Sequence, residues 1–384
     1  MMPTPRKIAY LSLQAVVDGQ DSWAAVTEII SGWETDGWIV DRYFPEYPGG
    51  EGGGALSRLT EMLRVQRRLT TRLSEYDAIY IRAHNLAWPT AQRAKRAGIP
   101  VIQECNGPYD DLFIAWPQTR IARPLFEFLQ RSQYRSAAAI ISVAEGLSAW
   151  LAEESRNPHI VTNGNGANVD VFSPHAPRRD GLPERYGVFF GQFPAWQGIP
   201  ALLDAAARDD WPSELPLVFV GDGALRPAVE DAVARMPQRV SYLGRLPYAE
   251  VAGVAAHAAV SFVPMVAPER ENKFSPLKLY ESMACGVPVI ASDVVGINEV
   301  VSHTRCGLLV AAGDAADIAE ATRAVLADPV AAAAMGEAGR AAAVERYSWL
   351  ARSRQRAEVV EAAILRARVS SDSAHGDGRI RGGS

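Results

Sequence analysis

The chain reads as an α/β protein of two Rossmann-like domains facing each other across a cleft. Three observations carry that expectation. Its 384 residues exceed one ordinary core and suit two domains of under about 200 residues each. Short β-branched runs alternate with helical patterns, the signature of parallel sheets joined by crossover helices. A Pro- and charge-rich stretch over 173–185 interrupts the alternation, which then begins again.

In the first half, strands are expected at Ile8–Leu13, Trp38–Phe44, Ala78–Arg82, Val101–Glu104 and Ala139–Val143. Helices are expected at Trp23–Trp33, Arg58–Leu73 and Thr90–Arg96, the last closed by Gly98 and Pro100. The second half offers strands at Tyr186–Phe190, Leu217–Val220, Val240–Leu243, Ala259–Val263 and Val287–Ala291. The Ala-rich stretch from Asp314 to Glu345 is helix-prone, and Trp349–Arg366 forms a last helix. The expected division is 1–172, a first Rossmann-like domain, and 173–348, a second. A helix over 349–369 packs back on the first domain, and a polar tail over 370–384 cannot bury a core.

Bulk properties narrow the function. A net charge of −5 speaks against nucleic acid as a partner, since phosphate binding needs a basic face. No run of about 20 apolar residues exists to span a bilayer. Cys105, Cys285 and Cys306 are widely spaced, which argues for a reducing, cytoplasmic compartment and against a zinc site. No strand is followed by Gly-x-Gly-x-x-Gly; after Gly221-Asp222-Gly223, position 226 is Arg. P-loop and Gly-x-Ser-x-Gly patterns are also missing, so dehydrogenase, kinase and hydrolase readings weaken.

The densest chemistry lies in Lys273-Phe-Ser-Pro-Leu-Lys-Leu-Tyr-Glu281. Ser275 before Pro276 suits a helix start, with Ser as N-cap and Pro in the first helical position. Lys278 then falls in the first turn, where the helix dipole disfavours a cation by roughly 0.3–1 kcal/mol. That placement makes sense if the free N–H groups and the ammonium together hold an anion. Glu281 lies on the same face and has the geometry to accept two hydroxyl hydrogen bonds. The alternative is a Lys278–Glu281 surface pair on a structural helix.

This segment closely resembles the second-domain signature of retaining glycosyltransferases of the GT-B fold, family 4. Further matches occur in the family's order. Asn165-Gly-Ala-Asn-Val-Asp-Val-Phe172 is similar to the hinge, and Phe189-Phe-Gly-Gln-Phe-Pro-Ala-Trp-Gln-Gly198 resembles the strand and loop that open the second domain. Val218–Gly223, Val240–Gly244 and Gly296–Glu299 resemble later motifs, and Gly98–Gly107 is similar to a subgroup's first domain. The resemblance implies a nucleotide sugar as co-substrate, a sugar or lipid-linked acceptor, no further cofactor and no metal. It implies that Glu281 binds the ribose, and that Gly19, Ser275, Pro276, Leu277 and Lys278 flank the diphosphate. Gly191, Gln192, Gln197 and Arg245 fall at positions near the nucleotide, and His84 and Asn106 end first-domain strands where an acceptor lies.

The chain departs from the family pattern at several points. Lys273 stands where the first of two paired glutamates is expected, and Gln192 and Gln197 replace basic residues. Lys273 and Lys278 are expected to supply the missing positive charge. Asn106 stands where His is common. A non-catalytic scaffold on the same fold is the competing reading; epimerases and phosphorylases fit the site or the length less well. The helix over 58–73 combines a stripe of Leu59, Met62, Leu63, Leu69 and Leu73 with five arginines. It reads either as a solvated face over a buried stripe or as a peripheral contact with the inner face of a membrane.

Overall fold

The computed structural model describes residues 5–16, 21–47, 54–109, 113, 117–266 and 275–376. Two compact units result, one of residues 1–164 with 352–384, the other of 165–351.

In the first unit, β1 (Lys7–Leu11), β2 (Ile39–Tyr43), β3 (Ala78–Arg82), β4 (Val101–Cys105), β5 (Ala139–Ser142) and β6 (Ile160–Thr162) form one sheet. All its pairings are parallel, and the strand order is β2-β1-β3-β4-β5-β6. The connecting helices are α1 (Asp21–Thr35), α2 (Ala55–Thr70), α3 (Trp88–Arg96), α4 (Arg123–Ser136) and α5 (Glu145–Ser155). Central strands such as Ala78-Ile-Tyr-Ile are buried throughout, which is why they read as continuous apolar runs rather than alternating ones.

The second unit repeats the scheme with β7 (Gly187–Gln192), β8 (Leu217–Asp222), β9 (Val240–Tyr242), β10 (Val260–Val263), β11 (Val289–Ser292) and β12 (Gly307–Val310). Its order is β12-β11-β10-β7-β8-β9, again parallel. The helices are α6 (Ile199–Ala207), α7 (Arg226–Arg235), α8 (Tyr248–Ala256), α9 (Leu277–Ala284), α10 (Ile297–Thr304), α11 (Ala315–Ala327) and α12 (Pro329–Glu345). The helix-prone stretch is thus two helices, broken at Asp328-Pro329, with Asp314 and Asp328 each accepting two backbone N–H groups as N-caps. A last helix, α13 (Trp349–Gly376), runs past the expected end at residue 369; residues 377–384 lie outside the described ones.

Strand order reverses between β1 and β3 in one sheet and between β7 and β10 in the other. Such reversals open a crevice at the strands' carboxyl ends, where α/β proteins place ligands.

Several expectations need correction. Strands β6 and β12 were not anticipated; each is a short, largely half-exposed edge strand. Residues 165–172 belong to the second unit: Phe172 is fully buried beside Phe190 and Tyr248, and Ala167 bonds the backbone at Tyr347 and Trp349. On α2 the expected stripe splits. Leu69 and, beyond the helix, Leu73 are buried with Val65, whereas Leu59 and Leu63 are exposed. The buried face needs Val65 and Gln66, which places the two leucines on the outer side.

Candidate nucleotide-sugar site

In the second unit the site is built at the β7/β10 reversal. Strand β7 ends at Gly191 and Gln192, both exposed. Gly191 has φ +110°, a left-handed value that favours glycine. A Cβ there would come within 3.3 Å of Lys278 Cε. Beside it, Gly221 at the end of β8 has φ +134°, and a Cβ would lie 1.8 Å from the Gly191 carbonyl oxygen. The two strand ends therefore approach backbone to backbone. The loop after β7 is tied to the end of β10, where the Gly198 N–H bonds the Pro264 carbonyl and Gln197 bridges Met265.

Helix α9 delivers the charged groups. Every residue from Lys278 to Ala284 is buried, so this is not an amphipathic surface helix, and the surface-pair reading of Lys278 and Glu281 fails. Ser282 locks the helix onto β10 through Ser261 Oγ at 2.7 Å. At the other end, one Arg340 guanidinium nitrogen donates to the carbonyls of Ala284, Val169 and Phe172, satisfying a helix C-terminus. Lys278 is 6% exposed. Its Nζ donates to Gln197 Oε1 at 3.0 Å and stands 4.1 Å from the centre of the Phe189 ring. Glu281 is equally buried, and its carboxylate, after burial itself, pushes the Cys285 thiol well up.

The expected cap is corrected. Pro276 occupies the N-cap, Leu277 is the first helical residue, and Ser275 lies outside the helix. Ser275 instead accepts the Asn165 N–H at 3.0 Å and meets the Tyr280 hydroxyl at 2.9 Å, while the Asn165 amide donates to the Ser275 carbonyl. A proline at the cap position leaves no side-chain group to bond the first-turn N–H groups. Arg245 is 74% exposed and sits 3.4 Å from Asp222, which also takes an N–H from Gly223. Gly191, Gln197 and Lys278 thus meet; Arg245 is engaged by Asp222. Gly19 and Lys273 lie outside the described residues.

The first unit ends its sheet differently. At the β1/β3 reversal, Glu104 on β4 is 1% exposed and receives three side chains. The Tyr10 hydroxyl donates to Oε2 at 2.9 Å; Arg82 Nη1 and Asn106 Nδ2 each donate to Oε1 at 3.1 Å. Arg356, fully buried on α13, is anchored by the Asn163 carbonyl at 3.1 Å, and its charge also reaches Glu104. Burial alone raises the Glu104 carboxyl, but the two guanidinium groups, with Asn106 and Tyr10, outweigh it and hold the group below the usual carboxylate range. His84 Nδ1 accepts the Leu86 N–H at 3.2 Å, capping the single 3-10 turn Asn85–Ala87. Burial lowers its pKa to about 4. The ring is therefore neutral near pH 7, with its proton on Nε2. Among the sequence-derived site residues, Asn106 joins the Glu104 network. Tyr10, Glu104 and Arg356 were not anticipated, and Phe189 and Asn165 entered only as parts of the strand and hinge motifs, with no role at the site; in the first unit the available signal was a lone carboxylate inside the apolar strand Val101–Cys105.

Comparison with known proteins follows this division. A profile described as "Glycosyl transferase 4-like domain" matches residues 32–166, and one described as "Glycosyl transferases group 1" matches 184–328. The alpha-maltose-1-phosphate synthase of Mycobacterium tuberculosis is 30% identical over 250 residues, 58% of this chain and 62% of that protein. The match thus spans under two thirds of that relative's length. The phosphatidyl-myo-inositol mannosyltransferase of Mycobacterium leprae is 27% identical over 80% of this chain and 82% of its own. Anabaena HepE, solved in complex with UDP-glucose, shares the fold with a TM-score of 0.65 at 18% identity, covering 93% of this chain and 99% of that one. With each half matched by its own profile and each sheet built as that fold requires, the chain belongs to the family 4 glycosyltransferases of the GT-B fold.

Proposed function

We propose that the chain is a retaining, metal-independent glycosyltransferase that moves a sugar from a UDP- or GDP-sugar to a hydroxyl acceptor, in the synthesis of a glycan, glycolipid or polysaccharide. The observation that carries this reading is the buried Lys278 ammonium beneath Gly191, held by Gln197 and the Phe189 ring. A glycine-edged strand end lets a diphosphate approach the backbone, and the ammonium neutralises it. Gln197, which replaces a basic residue, then serves as the acceptor that orients Lys278. Glu281, one turn further into α9, takes the ribose hydroxyls. That HepE holds UDP-glucose on the same fold supports such a donor.

In the reaction, the bond between the anomeric carbon and the diphosphate oxygen breaks while a bond to the acceptor oxygen forms on the same face. The acceptor proton passes to the departing diphosphate oxygen. Lys278 stabilises the charge that develops there, so catalysis is electrostatic stabilisation with positioning. His84 and Asn106 are the acceptor-side groups in this reading.

Calorimetry with UDP and GDP tests it. One nucleotide is expected to bind; Glu281→Ala abolishes binding, and Lys278→Met weakens it about 10- to 100-fold, the worth of a charge-assisted hydrogen bond. Absence of binding by both nucleotides favours the scaffold reading and overturns this one.

A further inference from the structure

The sheet of the first unit gathers polar side chains on one face of two neighbouring strands. β3 and β4 pair with Tyr80 opposite Ile102 and Arg82 opposite Glu104. Side chains two residues apart share a face, so Tyr80 and Arg82 stand beside Ile102, Glu104 and Asn106. The other face of β3, Ile79 and Ile81, packs in the apolar cluster with Val65 and Leu69. On the polar side the rings of Tyr10, Trp33 and Tyr80 lie with their centres between 5.0 and 6.3 Å apart. A rigid aromatic block therefore underlies the polar strand ends.

Charge is held behind this edge. Glu104 is 1% exposed, whereas Arg82 keeps 12% of its side chain in solvent. Arg356 is fully buried, and its Nε and Nη1 have no hydrogen-bond partner among the described residues. Two guanidinium charges thus act on one carboxylate, which stays ionised and can only accept hydrogen bonds.

That restriction fixes the Asn106 amide. Its Nδ2 is the end that meets Glu104 Oε1, at 3.1 Å, because two oxygens there would repel. Oδ1 is then the outer end of a half-buried side chain. Arg82 Nη1 donates to the same Oε1, also at 3.1 Å. One carboxylate oxygen therefore holds a guanidinium donor and an amide acceptor side by side.

We propose that Arg82 and Asn106, with Glu104 as their positioning residue, form a recognition site for a vicinal diol. Asn106 Oδ1 accepts from one hydroxyl, and the Arg82 guanidinium donates to the oxygen of the next. Adjacent hydroxyls on a sugar or cyclitol ring offer that donor and acceptor at one fixed separation, whereas a single alcohol satisfies only half of the site. Assigning the diol to the acceptor rests on the glycosyltransferase reading; the binding itself does not.

Ligand-detected NMR titration of the full chain tests the site without any nucleotide. The probes are myo-inositol and trans-cyclohexane-1,2-diol, with cyclohexane-1,4-diol as the comparison. Both vicinal diols are expected to bind, and the 1,4-diol at least about fivefold more weakly, the effect of one neutral hydrogen bond. Asn106→Ala should weaken the 1,2-diol by about fivefold or more. Glu104→Gln should do likewise, since its amide can turn an NH2 toward Asn106 and reverse that residue's amide. If Glu104 acts through Asn106, the double variant loses less than the product of the two single losses. Fully multiplicative losses would overturn the positioning role. Absence of diol binding, equal binding of the 1,2- and 1,4-diols, or full binding by Asn106→Ala overturns the site. Diol binding by a chain that takes neither UDP nor GDP would leave the site standing and remove only the transferase reading; nucleotide binding without diol binding would do the reverse.

Discussion

The two sheets share a topology and end in opposite chemistry. On the β7 side of the β7/β10 reversal the strands β7, β8 and β9 carry glycines at or just beyond their ends, and Gly191, Gly221 and Gly244 all have positive φ. At the β1/β3 reversal the strands finish in side chains, with Tyr10 and Arg82 both bonded to Glu104. A backbone edge suits a large anion, which needs close approach and many N–H donors. A side-chain edge suits hydroxyl recognition, which needs donors and acceptors held in fixed directions. The same architecture thus lines the carboxyl ends of one sheet with glycine backbone and those of the other with a hydrogen-bonded side-chain network.

The comparison breaks most visibly at Glu104. Glu104→Ala would leave Arg82 and Arg356 as buried charges without their carboxylate. A loss of about 3–5 kcal/mol is expected from urea denaturation, with hydrogen exchange accelerated in the first unit and UDP affinity retained. A loss below about 1 kcal/mol would mean that the network is not the organising feature of that edge.

At the glycine edge the test is a matched pair. Gly221→Ala forces a Cβ to 1.8 Å from the Gly191 carbonyl oxygen at φ +134°. The cost should be about 1–3 kcal/mol or more, with weakened nucleotide binding. Gly244→Ala also imposes a positive φ, +72°, but meets nothing within 4 Å, so its cost should stay near about 1 kcal/mol. Equal effects of the two on thermal unfolding and UDP affinity would show that backbone proximity at Gly221 is unimportant.

The smallest effect concerns pH. The folded state holds His84 near pKa 4, below its ordinary value of about 6.5. The neutral ring therefore contributes stability that is fully present above pH about 6.5 and is lost as pH falls toward about 4. Because the ring is half-buried, the loss should not exceed about 2 kcal/mol. His84→Gln should flatten the melting temperature over that window; an unchanged slope would assign the acid sensitivity to other groups.

Much of this was legible in advance, though unevenly. Strand β3 was anticipated with its observed limits, Ala78–Arg82, because a fully buried central strand leaves an unbroken apolar run. The short, largely half-exposed edge strands β6 and β12 were missed, whereas the edge strands β2 and β9 were anticipated. The motif around Lys278 and Glu281 correctly marked a helix start, yet the cap moved from Ser275 to Pro276. That shift followed because the Ser275 hydroxyl found Asn165 and Tyr280, which are distant or unremarkable in sequence. On α2, periodicity correctly indicated a stripe with Leu69 and Leu73 but added Leu59 and Leu63, which are exposed. A helical repeat with apolar residues on two sides does not say which side meets the sheet.

By itself the sequence determined the succession of strands and helices, the glycines at the β7 and β8 ends, and the family to which those patterns belong. Each depends on residues close in the chain, where period, turn chemistry and spacing are read directly. Only the tertiary structure decided that Lys278 rests on Gln197 and Phe189, and that a terminal-helix arginine, Arg356, acts on Glu104. Those partners are joined by strand order and by the return of α13 to the first unit. Local periodicity carries no record of either: a parallel sheet pairs strands through long crossovers, and which carboxyl ends become neighbours is set by the packing of the whole unit.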